Sequence, residues 1–317
     1  MDYVIVGDNR ISRMTLGTAQ LGLNYGIANA TGKPATKSSF EILEAAVRGG
    51  ITCIDTAPVY GDSEGVIGSF LTRQPYPADC IVVTKLPALD LTRDTTLTEA
   101  LDAIRKHVTC SIKKLHIKRL PVYLLHSASD LDSYGGMVIN SLLRLKEEGL
   151  IGVLGVSVYT SEEVKRALEI DALEAIQIPI NIFDHRLIRC GLLDRLEDSK
   201  RIVFARSVFL QGLFFLPESG LPSGLKLAMR PLSQLKELCS EHNRSIAEVA
   251  LAFVRDLRGV TSVIIGAETP GQVLENIELM RCPPLTPRLY NQIMTCFAEL
   301  PVEIINPSLW NLKECEV

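Results

Sequence analysis

The chain has 317 residues, 47% of them hydrophobic, and its 33 basic and 37 acidic residues leave a net charge of −4. That is enough apolar material for one large α/β domain or two smaller ones. The intermixed charges exclude the basic footprint of a nucleic-acid binder and the basic arm of a membrane-surface protein.

No apolar run approaches a bilayer span, and the N-terminal MDYVIVGDNRISRM is too short and too charged for a secretion signal. The eight cysteines (Cys53, Cys80, Cys110, Cys190, Cys239, Cys282, Cys296 and Cys315) form no CxxC pair, and several lie in apolar runs. A reduced, cytoplasmic protein is the expectation.

In chain order, short runs rich in Val and Ile alternate with segments of helical period. Strands are predicted over Met14–Thr18, Cys53–Asp55, Ile81–Lys85, Val122–His126, Val153–Ser157, Ala175–Pro179, Ile202–Ser207 and Ser262–Ile265. Most are apolar throughout, as strands buried on both faces are. Helices are predicted over Ser38–Arg48, Ser63–Leu71, Thr96–Lys114, Gly136–Glu148 and Ser161–Leu168, with a weaker one near Leu187–Leu196. Four more follow, at Leu232–Glu241, Ile246–Arg255, Pro270–Met280 and Pro287–Cys296. Ser161 is read as an N-cap, with Glu162 and Glu163 placing negative charge in the first turn. Ser63 is read the same way, and Gly49–Gly50 and Gly149 close their helices.

Eight strands, each followed by helix, predict an α/β fold: a (β/α)8 TIM barrel in one domain over residues 1–317. Two Rossmann halves would need a GxGxxG turn after an early strand, and the glycines from Gly17 to Gly22 have the wrong spacing. Phe209–Met229 reads as a long loop after the seventh strand, and the tail from about residue 298 is expected to fold over the barrel mouth.

In such a barrel the C-terminal strand ends form the active face. Those ends hold Asp55, Lys85 and His126 on three successive strands, with Tyr60 on the loop after the second. Taken singly, Asp55 and Lys85 read as a structural ion pair, His126 as a core histidine and Tyr60 as a packing residue. Four such groups on one rim point instead to chemistry. An ammonium beside a phenol stabilises the phenolate and lowers its pKa, and Asp55 would hold Lys85 charged. His126 can hydrogen-bond a substrate oxygen. The product is a proton donor for a carbonyl oxygen becoming an alkoxide. No side chain donates hydride, so a nicotinamide cofactor is implied.

These residues stand in the segments LGTAQLG, IDTAPVYGDSEGVIG, VVTKL, LLHSASD, GVLGVSVY, QIPINIF, ARSVFLQGL and VIIGAETPGQVLENIE. In that order they resemble the aldo/keto reductase family from Leu16 to about Met280. The resemblance implies a metal-free, NADPH-using barrel that reduces aldehydes or ketones, with Asp55, Tyr60, Lys85 and His126 as its catalytic tetrad. It also implies nucleotide contacts from Ser157, Gln177, Ser207, Leu210, Gly212, Gly266, Thr269, Gln272, Glu275 and Asn276. Ser157 is followed by Val158, where the family usually has an asparagine.

Thr269, Pro270 and Gln272 also read physically as an N-cap, a first-turn proline and a partial capping box, and a helix N-terminus is an anion site. The lysine and arginine that often clamp a 2′-phosphate are missing there, and Glu268 adds negative charge. NADPH is still favoured over NADH by resemblance to bacterial members with glycine and glutamine at these positions. NIFDHRL and the LGLNYGIANATGKP opening suggest a polar, sugar-related carbonyl substrate, with Tyr25, Asn181, Phe183, His185, Phe209 and Trp310 as candidate contacts.

A metal-dependent barrel hydrolase would want paired histidines after the first strand, and none of the five histidines lies there. A regulatory barrel that binds nucleotide without catalysis is the other alternative, and the intact tetrad argues against it. Oligomeric state is not legible in the sequence.

Overall fold

The computed structural model describes residues 1–6, 9–73, 80–92 and 94–310, so Cys315 and the end of the tail lie outside the described residues. An antiparallel hairpin comes first, β1 (Tyr3–Val6) and β2 (Asn9–Ser12). Eight parallel strands follow: β3 (Met14–Gly17), β4 (Cys53–Asp55), β5 (Ile81–Leu86), β6 (Leu120–Leu125), β7 (Ile151–Ser157), β8 (Ala175–Pro179), β9 (Ile202–Arg206) and β10 (Ser262–Gly266). They close into a barrel in the order β10-β3-β4-β5-β6-β7-β8-β9. The predicted α/β barrel is the observed fold.

The helices between the strands are α1 (Ala19–Gly22), α2 (Thr36–Arg48), α3 (Ser63–Leu71), α4 (Leu97–Leu115), α5 (Met137–Glu147) and α6 (Ser161–Leu168). Next are α7 (Arg186–Arg189), α8 (Leu192–Asp198), α9 (Met229–Glu241) and α10 (Ile246–Arg255). The chain ends through α11 (Pro270–Leu279), α12 (Pro287–Cys296) and α13 (Val302–Ile305). No helix among the described residues is long and apolar enough to cross a membrane. The seven described cysteines form no disulfide.

Strand alternation sorts the apolar residues into two layers. Cys53, Ile81, Val83, Val122, Leu124, Val153, Ala175, Ile202 and Phe204 pack inside the barrel. Their alternates, such as Ile54, Val82, Tyr123, Leu154, Ile176 and Val203, pack outward with the helices. Burial on both faces is why these runs carry so little polar alternation.

Several local expectations are corrected. The hairpin was not predicted: two four-residue strands are too short for a strong period-two signal. It floors the barrel, with Ile11 buried in the interior cluster and Arg13 donating to the carbonyls of Val260, Thr261 and Arg255. The cap of α6 is Thr160, not Ser161; Thr160 Oγ1 accepts from the Glu163 amide, and the Glu163 carboxylate returns to the Thr160 amide. Asp62, not Ser63, precedes α3. Ser63 Oγ donates to the Thr18 carbonyl at 3.0 Å, tying the turn after β4 to the turn after β3. The segment read as Leu187–Leu196 breaks into α7 and α8 at Gly191, whose φ of 64° is left-handed. The loop after β9 is three successive 3-10 turns. The short α13 packs against the last of these, at Ser223–Ala228.

Gly22 shows how tightly the loops above the barrel meet. A Cβ there would lie 1.7 Å from the Tyr60 carbonyl oxygen and 2.8 Å from the Ser63 amide nitrogen, both backbone atoms. Gly22→Ala must therefore push the Tyr60 turn outward. Chemical denaturation should show a loss of roughly 1–3 kcal/mol, the usual cost of overpacking; an unchanged midpoint would mean the loops have slack.

Candidate active site

The inward register of each strand, extended toward its C-terminal end, arrives at a polar residue. Cys53 leads to Asp55, Val83 to Lys85, Leu124 to His126, Ala175 to Gln177 and Phe204 to Arg206, while Val153 leads through Gly155 to Ser157. Parallel pairing sets these ends side by side: Asp55 is in register with Val83, Lys85 with Leu124 and Ser157 with Gln177. The predicted convergence of Asp55, Lys85 and His126 follows from this register.

Lys85 is fully buried, at 0% exposure, and Asp55 is 4% exposed. The ammonium donates to both carboxylate oxygens of Asp55, at 2.8 and 2.9 Å, and to the Thr56 carbonyl at 2.9 Å. Its nitrogen also lies 5.1 Å from the centre of the Tyr60 ring. Tyr60 meets His126 edge to face, ring centres 6.2 Å apart. The turn carrying Tyr60 is held from below, because Thr18 donates through its amide and hydroxyl to the Asp55 carbonyl, at 3.0 and 2.8 Å.

Gln177 Nε2 donates to Asp55 Oδ1 at 2.7 Å, and Ser157 Oγ donates to Gln177 Oε1 at 3.3 Å. Both residues are buried. A continuous chain of hydrogen bonds therefore runs from Ser157 through Gln177 and Asp55 to Lys85. An amide nitrogen carries two hydrogens, so Gln177 retains a donor while bound to Asp55.

Electrostatics sets the protonation states. Burial works against the charge of Lys85, but the Asp55 carboxylate and then Tyr60 more than offset it, holding its pKa above the ordinary lysine value. Burial raises the pKa of Tyr60, and Lys85 pulls it back only in part, so the net shift is upward. This corrects the expectation of a lowered phenol pKa: the desolvation cost of a buried phenolate exceeds the attraction of a lysine already neutralised by Asp55. His126 is pushed down to about 4, by burial first and then by Lys85 and Arg206. At neutral pH the site presents a protonated phenol, a neutral imidazole and a charged ammonium.

Ser207, Leu210 and Gln211 all have left-handed φ, at 65°, 47° and 53°, and Gly212 follows at 90°. A Cβ on Gly212 would approach that of Ala28 to 2.7 Å, and the Ile27 amide donates to the Gln211 carbonyl at 3.0 Å. The loops after β3 and β9 thus latch above the barrel. Gly266 leaves room for the amide of Gln20, which a Cβ would meet at 2.1 Å.

Thr269 caps α11 by accepting from the Gln272 amide, while Gln272 Oε1 accepts from the Glu268 amide at 2.7 Å. Glu268 is half-buried, and burial raises its pKa. On α11, Asn276 is buried and Glu275 exposed.

The candidate substrate residues are placed differently. Tyr25 belongs to the mouth: it lies within electrostatic reach of Tyr60 and Arg206 and is 36% exposed, leaving surface for a ligand. Phe183 packs against Phe214 and Phe297 at centre distances of 4.9 and 4.8 Å. Asn181 is fully buried, accepting from the Phe183 amide at 2.9 Å, and His185 is buried against Phe253. These three present almost no surface to a ligand. Phe209 lies edge to face with Phe215, and Trp310 is half-buried, its Nε1 without a partner among the described residues. Arg206 was missed; the signal was present in the alternation Ile202, Phe204, Arg206.

Two measurements check this electrostatic account. Lys85→Met leaves Asp55 buried without its counter-ion and should cost about 3–5 kcal/mol of stability, while the double variant with Asp55→Asn should recover much of that in denaturant titrations. The His126 ring should show an NMR-detected pKa near 4. Its folded pKa is depressed, so its contribution to stability is full above the unfolded value of about 6.5 and is lost as pH falls toward 4.

The comparisons agree with this geometry. The family model described as "Aldo/keto reductase family" matches residues 13–297. The chain is 28% identical over 304 residues to an Escherichia coli (strain K12) protein named NADH-specific methylglyoxal reductase, covering 85% of this chain and 90% of that one. It is 27% identical to a D-threo-aldose 1-dehydrogenase of a Pseudomonas species, covering 83% and 90%. Its fold is similar to that of an aldo-keto reductase from Bacillus halodurans in its holo form, with a TM-score of 0.75, 22% identity and coverage of 93% and 96%. With the family's barrel and a match across nearly all of that barrel, the chain belongs to the aldo/keto reductase family of oxidoreductases.

Proposed function

We propose that this chain reduces the carbonyl of an aldehyde or ketone to an alcohol, using a nicotinamide nucleotide and the Tyr60 proton. The observation that carries the reading is the buried Lys85 ammonium, bound to Asp55 at 2.8 Å and close beneath the Tyr60 ring. A bound dihydronicotinamide supplies the hydride.

The side chains supply the remainder. His126, neutral at pH 7, donates one ring N–H to the carbonyl oxygen and orients it without competing as an acid. As negative charge develops on that oxygen, the Tyr60 O–H bond breaks and its proton passes to the oxygen. The phenolate left behind is stabilised by the Lys85 ammonium, and Asp55 keeps that ammonium charged. The raised pKa of Tyr60 keeps the donor protonated through the neutral range.

The mouth fits the nucleotide. Gln177 has a free amide donor beside Ser157, suited to a carboxamide, and the capped N-terminus of α11 suits a phosphate. Ser207, Leu210, Gly212, Gly266, Thr269, Gln272, Glu275 and Asn276 complete the proposed set, on the latched loop, at the end of β10, and at the cap of α11 and along it. The resemblance favours NADPH. NADH is the second reading, favoured by Glu268: a carboxylate beside the α11 N-terminus repels a 2′-phosphate and accepts from a 2′-hydroxyl. A small polar, sugar-related carbonyl compound is the proposed substrate class, with Tyr25 and Trp310 at its edge. The relatives' names, methylglyoxal reductase and aldose dehydrogenase, support this.

Fluorescence titration with NADPH and NADH, followed by turnover on a carbonyl panel, tests the reading; failure to bind either nucleotide sinks it. Tyr60→Phe should abolish reduction while nucleotide binding stays close to wild type. Near-normal turnover would remove the proton-donor role, and binding without turnover in the wild type would favour the non-catalytic alternative. Glu268→Gln should tighten NADPH relative to NADH by roughly 3–10-fold, the scale of one partly screened charge.

A further inference from the structure

Arg206 is the inward-facing residue of the mouth that the reaction above leaves unused. β9 turns Ile202 and Phe204 into the barrel interior, and the same alternation puts Arg206 on that face, at the rim. To reach its partners the side chain crosses over β8 to the end of β7. There Nη2 donates to the Val158 carbonyl at 3.0 Å, and the guanidinium carbon lies 4.2 Å from the centre of the Tyr159 ring. One further contact, from Nη1 to Ser207 Oγ, is long at 3.4 Å.

Among the described residues no carboxylate pairs with Arg206. Arg186 pairs with Asp184, and Arg255 with Asp256, each at 2.7 Å, while Arg13 and Arg201, which also lack an acid among the described residues, each donate to two or more backbone carbonyls. A half-buried cation without an acid is costly, and among the described residues only Val158 and Ser207 accept from Arg206. The charges around it leave a surplus, because Asp55 neutralises Lys85 and His126 is neutral at pH 7. Arg206 also lowers the pKa of both Tyr60 and His126, so it is within electrostatic reach of the groups that would meet the carbonyl oxygen.

We propose that Arg206 binds an anionic group on the carbonyl substrate, a carboxylate or a phosphate, so that the preferred substrates carry that charge near the reacting carbonyl. This inference rests on the carbonyl-reductase reading. The planar fork of a guanidinium matches either group through paired hydrogen bonds. The Tyr159 ring and the Val158 carbonyl hold that fork in place before the substrate arrives.

Matched substrates test it. Butanal is compared with succinic semialdehyde, which adds a carboxylate, and glyceraldehyde with glyceraldehyde 3-phosphate, each with NADH and NADPH. The charged member of at least one pair should be favoured roughly 10–100-fold in kcat/KM, the scale of one charge-assisted contact, and chiefly through KM. Which pair responds identifies the carboxylate or the phosphate.

In Arg206→Met that preference should shrink to within a few-fold of unity, whatever happens to the absolute rates, and Arg206→Lys should retain part of it. The proposal is overturned if neutral and charged partners turn over equally well in the wild type, or if the preference survives in Arg206→Met. It is also overturned if Arg206→Met weakens nucleotide binding in fluorescence titrations while the preference is intact, since Arg206 would then serve the nucleotide. Absence of turnover on all four compounds with both nucleotides, despite nucleotide binding, would sink the carbonyl-reductase reading and this inference together.

Discussion

A lysine ammonium with no exposure to water can exist only if its hydrogens and its charge are both answered, and at Lys85 they are. Asp55 supplies two oxygens and Thr56 a carbonyl. That demand constrains much of the upper barrel. Asp55 must stand at the end of β4, in register two residues behind Lys85 on β5. The chain must also turn sharply after Thr56, and Thr18 and Ser63 hold the turn with buried hydroxyls. Breaking one half of such a pair costs far more than the pair contributes net, so its role is to enforce one geometry at the base of the site.

The same burial shapes the acid–base chemistry. Low-dielectric surroundings keep a phenol protonated and an imidazole neutral, and here both effects exceed the pull of the neighbouring charges. Tyr60 is thus a donor waiting for negative charge to appear on a substrate, with the stabilising ammonium already in position. Gln177 extends this arrangement. Its bond to Asp55 links the ion pair to the strand ends on the far side of the mouth, where the nucleotide contacts are proposed.

Above the barrel, the backbone itself holds strain. Three non-glycine departures into left-handed φ within five residues, at Ser207, Leu210 and Gln211, are costly at about 1–3 kcal/mol each. They persist because the loop after β9 is pinned to the loop after β3, through the Ile27 amide and the close approach of Gly212 to Ala28. Gly22, pressed against the Tyr60 carbonyl, does the same for the turn after β4. The mouth is therefore organised by loop-to-loop contacts as much as by the strands.

Much of this was legible in the residues themselves. Eight apolar runs separated by helix-period segments are enough for a parallel barrel, because strands buried on both faces have no polar alternation to display. Asp55, Lys85 and His126, each readable singly as structural, stood out because together they end three successive strands on one rim. Tertiary structure decided the remainder. The N-terminal hairpin is stable only as the floor of a barrel it cannot foresee locally, and Ser63 serves Thr18 instead of a helix cap because another loop lies within reach. Phe183 is buried against Phe214 and Phe297, which are distant in sequence. The direction of the Tyr60 shift needed its surroundings in the folded mouth, whose desolvation of the phenolate outweighs a neighbouring charge that the sequence had already identified. Arg206 lay between these cases: its inward register could be counted from Ile202, but that it lacks an acid partner depends on every other chain segment around the mouth.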